Sequence, residues 1–83
     1  MAIVFSNHAL EQIALRQIHL SIIKDILEFP QQTIKEDDQT IYQSIINFED
    51  TKYLVRVFVN TKVEPNKIIT VYRTSKIKKY YEG

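Results

Sequence analysis

Pro30 divides this chain into two kinds of apolar spacing. Ahead of it the spacing is helical. Ala9, Leu10, Ile13 and Ala14 can share one helical face, and Ile22, Ile23, Ile26 and Leu27 repeat the arrangement. Behind it, β-branched and aromatic residues fall in runs separated by short polar segments, the signature of strands. The strongest run is Tyr53 to Val59, Tyr-Leu-Val-Arg-Val-Phe-Val. Proline pushes the residue before it out of the α region, so Phe29-Pro30 closes the second helix.

The pattern predicts a short strand at Ala2–Phe5 and a helix from Asn7 to Arg16 capped by the Ser6 oxygen. A tight link, Arg16–Leu20, leads to a second helix capped by Ser21. Strands follow at 33–36, 41–48, 53–59 and 67–74, then a basic, aromatic tail at 75–81. Asp37-Asp38-Gln39 and Glu49-Asp50-Thr51-Lys52 are turn-like. There is no internal repeat and no linker, and 83 residues make one domain, 1–83. Two helices followed by successive strands predict an α+β fold, with both helices on one face of an antiparallel β-meander.

Strand alternation assigns the faces. Tyr53, Val55, Val57 and Val59 should face the core, leaving Leu54, Arg56 and Phe58 on the other side. Closing the second turn at 49–52 pairs Phe48 with Tyr53, Ile46 with Val55 and Tyr42 with Val59. That places Ile41, Gln43, Ile45 and Asn47 beside Arg56. In the last strand Ile69 and Val71 are the more apolar choice for the core. Ile68, Thr70, Tyr72 and Thr74 then join Arg56, and a one-residue slip would bring Arg73 there instead. The second face is thus expected to be an open sheet surface. Its patch of Ile41, Ile45, Leu54, Phe58 and Ile68 would mark a partner or ligand site.

Composition narrows the chemistry. With no cysteine there is no disulfide framework and no thiolate metal site, which suits a reducing cytoplasm. No apolar run approaches the roughly 18 residues of a membrane span, and the start lacks the basic region of a signal peptide. The two histidines and scattered acids show no metal-ligand spacing, and the lone glycine, Gly83, excludes a glycine-rich phosphate loop. No cofactor is therefore expected. The net charge of +1 conceals an asymmetry: residues 1–51 carry three cations against eight anions, and residues 52–83 carry eight cations against two anions. A basic half of this kind can form a polyanion-binding surface.

Arg56 interrupts an otherwise apolar strand, and a guanidinium that keeps its charge needs an anion or water. Arg73, Lys76, Lys78 and Lys79 follow, interleaved with Tyr72, Tyr80 and Tyr81. Cations that meet phosphates beside rings that stack on bases make an RNA-binding surface. His8 opens the first helix, where neutral imidazole can serve as a base. A helix-turn-helix reading of the first two helices is disfavoured, because Ser21 to Phe29 offers only Lys24 beside Asp25 and Glu28.

Several short motifs carry a resemblance. They are Ser6-x-His8-Ala9 opening a helix, Arg16-x-Ile18-x-x-Ser21 entering the next, Pro30 after it, and Ile69-Thr70-Val71-Tyr72 near the end. Together they resemble a small bacterial family of uncharacterised proteins grouped near the BrnT and RelE/ParE-like toxins. The glycine usual in the helix link is Gln17 here. The resemblance implies a RelE-like fold and the toxin of a type II toxin–antitoxin pair. Its activity would be that of an endoribonuclease cutting messenger RNA, often on the ribosome, by 2′-OH attack on the adjacent phosphate. It further implies Arg56, Arg73 and Lys76 as the cations, with Tyr80 or His8 as acid and base. Tyr72, Lys78, Lys79 and Tyr81 would contact RNA, and a protein antitoxin encoded nearby would cover the basic surface. The alternative is a non-enzymatic ParE-like protein that inhibits a protein target.

Overall fold

The structure, a computed structural model, describes residues 3–81. The elements run β1 (Ile3–Phe5), α1 (Asn7–Leu15), α2 (Leu20–Glu28), β2 (Gln32–Lys35), β3 (Thr40–Phe48), β4 (Thr51–Asn60), β5 (Asn66–Thr74) and α3 (Ile77–Tyr80). Ala2, expected to begin the first strand, lies outside the described residues.

The fold is α+β, with α1 and α2 packed against a five-stranded sheet of order β1-β5-β4-β3-β2. Strands β2 to β5 form the expected antiparallel meander, but the sheet as a whole is mixed, because β1 pairs parallel with β5. A parallel partner needs a crossover rather than a turn, and the helices supply it. β1 and β2 occupy opposite edges, so the helical pair carries the chain across the whole face. Ser6 fixes the start of this crossing. Its N–H donates to the Ile68 carbonyl at 2.9 Å, and its Oγ accepts from the Ala9 N–H at 3.0 Å as the N-cap of α1.

The second helix starts earlier than expected. Its N-cap is His19, not Ser21, and His19 makes no side-chain cap hydrogen bond. Gln17 sits in the left-handed region at φ 53°, which turns the chain sharply enough to start α2 two residues sooner. Phe29 leaves the helix with φ −133°, as proline at the next position dictates.

The β3–β4 register differs from the expected one by two residues. Phe48 pairs with Thr51, Ile46 with Tyr53, and Tyr42 with Val57. Glu49 and Asp50, at φ 48° and 68°, form a two-residue hairpin turn with both central residues left-handed, which matches strand twist. A shift of two preserves side-chain parity, so Gln43 keeps to the face of Arg56, and it stands directly opposite Arg56 where the expected register put Ile45. In β5 a bulge changes the faces partway. Phe58 pairs with Thr70 but Val59 pairs with Ile68, leaving Ile69 as the extra residue. Ile68, expected beside Arg56, is therefore fully buried in the main core, whereas Ile69 is only partly buried.

That core lies between helices and sheet. Ala9, Ile13, Ile18, Ile23 and Ile26 meet Val55, Val57, Val59, Ile68 and Val71. The opposite face is not the open surface expected from the sequence. Ile41, Gln43, Leu54 and Arg56 on it are buried. The four-residue helix α3 returns over this face: Gln43 Nε2 donates to the Tyr80 carbonyl at 3.1 Å, and the Tyr80 ring lies on Arg56. A strand pattern alone gives no sign that so short a tail folds back. No helix among the described residues is long and apolar enough to cross a membrane.

Candidate functional site

Arg56 is the centre of the second face. It is 8% exposed, yet no carboxylate pairs with it among the described residues. Its Nε–H donates to Gln43 Oε1 at 2.9 Å, and its Nη1 donates to the Tyr72 hydroxyl at 2.9 Å. Three rings surround the guanidinium carbon: Tyr80 at 4.6 Å, Phe58 at 5.1 Å and Tyr72 at 5.9 Å. Cation–π attraction and two hydrogen bonds replace the missing counter-charge.

Strand geometry places these groups. Gln43, Arg56 and Tyr72 stand directly opposite one another on β3, β4 and β5. Gln43 is fully buried and uses both ends of its amide, since Nε2 also donates to Gln32 Oε1 at 2.8 Å. This locks the amide orientation and hence the guanidinium plane. Tyr72 stacks on Phe58 with ring centroids 5.8 Å apart and meets Tyr80 edge-on at 6.4 Å. Its hydroxyl accepts from Arg56, so its own proton remains available to donate.

No buried side-chain nitrogen or oxygen among the described residues lacks a partner. The Nη2 of Arg56, which neither hydrogen bond uses, therefore opens to solvent. Lys79 rests on the same tyrosine that covers Arg56, its Nζ 5.3 Å from the Tyr80 ring. Lys76, Lys78 and Lys79 are exposed around α3, and Tyr81 ends that helix, half-buried. The structure thus gathers Arg56, Tyr72, Tyr80 and Lys79 into one cluster, with Lys76 and Lys78 on its flank.

Two expected members lie elsewhere. Arg73 pairs across to Val55, so it belongs to the helix-side face, stacked on Phe48 at 4.6 Å and Tyr53 at 4.9 Å. The alternative in which a register slip places Arg73 beside Arg56 is not the one observed. His8 is exposed on α1, in the helical layer across the sheet from Arg56. Gln43 was not among the residues expected to act. Its signal is an amide on the face that strand parity shares with the one charge of Tyr53–Val59, whereas its place directly opposite Arg56 depends on the register. His19, which lines a cavity with Arg73, has no comparable signal in the sequence. No group of three or more metal-ligating side chains occurs among the described residues.

Residues 5–73 match a family described as a domain of unknown function, DUF4258. No curated protein and no solved structure matches the chain.

Proposed function

The chain belongs to the DUF4258 family, and for this member we propose the function of a type II toxin, an endoribonuclease that cleaves messenger RNA by 2′-OH attack. The observation that carries the reading is Arg56: a buried guanidinium held by an amide, a hydroxyl and three rings, with no carboxylate paired to it among the described residues. Burying an unpaired charge is costly, and a sheet face that served packing alone would place an apolar side chain there. An anion arriving at the open edge of Arg56 supplies the missing charge. The basic flank of Lys76, Lys78 and Lys79 and the tyrosines beside it favour RNA as the source of that anion.

In this reading the 2′-oxygen attacks phosphorus and its proton passes to a base, the role we assign to the Tyr80 oxygen. The P–O5′ bond breaks, and Tyr72 donates its hydroxyl proton to the leaving 5′-oxygen. The products are a 2′,3′-cyclic phosphate and a 5′-hydroxyl. Arg56 and Lys79 stabilise the second negative charge on the phosphorane. The RelE-like character of the fold belongs to the same proposal, supported by the two helices crossing a sheet whose other face bears the cations. So does a protein antitoxin that covers the basic face.

The test compares wild type, Tyr72→Phe and Arg56→Lys, each checked for folding, on end-labelled RNA free and ribosome-bound. Wild type should release 2′,3′-cyclic ends, and loss of the hydroxyl or the fork should slow cleavage about 100-fold. Equal rates in all three, or no cleavage by wild type on either substrate, would overturn the nuclease reading. One observation favours the non-enzymatic alternative: Arg73 and His8 do not join the Arg56 cluster. Growth arrest by wild type with intact messenger RNA would select that reading.

A further inference from the structure

A cavity of about 560 Å³ opens on the helix side of the sheet, between the start of α2 and the β3–β4 hairpin. That volume lies within the range of roughly 300–1,000 Å³ typical of small-ligand pockets. Arg73 lines it, and so do the two rings on which Arg73 rests. Phe48 and Tyr53 meet at 73° with centroids 5.7 Å apart, forming a corner that holds the guanidinium against both planes. Arg73 is half-buried in that corner. Among the described residues no carboxylate pairs with it and no acceptor takes a hydrogen bond from it. Its planar fork of donors is thus oriented by stacking and left unused, the state in which arginine binds an oxyanion bidentately.

We propose that this cavity binds the phosphate group of a small organic phosphate, with Arg73 as the principal contact. The rest of the wall fits the remainder of such a molecule. Gln17, Asn47 and Thr51 offer neutral polar groups suited to hydroxyls. Glu49, also on the wall, repels a phosphate placed beside it and accepts hydrogen bonds from hydroxyls, so the phosphate belongs at the Arg73 end and the hydroxylated body at the Glu49 end. His19 brings the uncapped start of α2 to the same wall, which adds positive potential. The site lies across the sheet from Arg56 and does not rest on the nuclease reading.

Ribose 5-phosphate is the probe, with ribose as the neutral control, titrated into the intact chain and followed by amide chemical shifts. Millimolar ribose 5-phosphate should move the amides of Gln17, His19, Asn47 and Arg73 and leave Gln43, Arg56 and Tyr72 in place, whereas ribose moves none. Arg73→Gln, confirmed as folded by its spectrum, should weaken binding about 10-fold or more, since a charge-assisted pair is lost. Shifts confined to the Arg56 face, equal binding by ribose, or undiminished affinity in folded Arg73→Gln would each overturn the proposal. If Arg73→Gln fails to fold, the wild-type shift map decides alone. Cleavage activity is not part of the readout, so either proposal can fail without the other.

Discussion

Replacing Gln43 by leucine nearly conserves volume at a fully buried position but removes an amide used at both ends. The bond from Arg56 Nε is charge-assisted and worth about 1.5–3 kcal/mol, and the two neutral bonds, to Gln32 and the Tyr80 carbonyl, about 1 kcal/mol each. Leucine returns about 1–2 kcal/mol through its extra apolar surface. The expected net loss for Gln43→Leu is about 3 kcal/mol, a fall in Tm of about 12–24 °C for a domain of this size. Urea denaturation and thermal circular dichroism measure both quantities. A second variant separates network from packing. Changing Arg56→Met in the Gln43→Leu background removes the donor left without its acceptor, so the pair should cost at least about 1 kcal/mol less than the two single changes together. A loss below about 1 kcal/mol for Gln43→Leu, or strict additivity, would refute the idea that Gln43 compensates a buried charge.

Three further outcomes follow from backbone geometry. Glu49→Asn with Asp50→Gly, which suits two left-handed positions, should raise stability by about 1 kcal/mol in urea titrations. Gln17→Gly should raise stability by about 0.5–1 kcal/mol for the same reason at the helix link, and a loss would show that the Gln17 side chain matters more than its φ. Ser6→Ala removes both the cap to Ala9 and a 3.3 Å bond to the Ile69 carbonyl, and should cost about 1 kcal/mol with a Tm fall of about 4–8 °C.

Strand parity was legible in the sequence, and it placed Gln43, Arg56 and Tyr72 together although the turn was misplaced. Alternation survives any even shift, so the face of Arg56 was secure while its exact partners were not. The turn was misread because Glu49-Asp50 lacks the glycine or asparagine that usually announces a two-residue hairpin. Ile68 was assigned to the wrong face because a bulge has no compositional mark in Lys-Ile-Ile-Thr. Burial of Arg56 depends on Tyr80, 24 positions later, and no local pattern encodes that return. The separation of Arg73 from Arg56 is different: alternation in β5 makes Tyr72 and Arg73 exclusive neighbours of Arg56, and only the register decides between them.

The parallel pairing of β1 with β5 has a kinetic side. Strands β2 to β5 are joined by short connections, and each can zip onto the last with little loop-closure entropy. β1 cannot follow that order, since Ser6 must find Ile68 across 62 positions of chain. Folding is therefore expected to proceed from the meander outward, with the N-terminal strand docking late as α1 and α2 settle across the face. Substitutions at Ile3 or Phe5 would then speed unfolding and leave the folding rate nearly unchanged, whereas substitutions at Val55 or Val57 would slow folding itself.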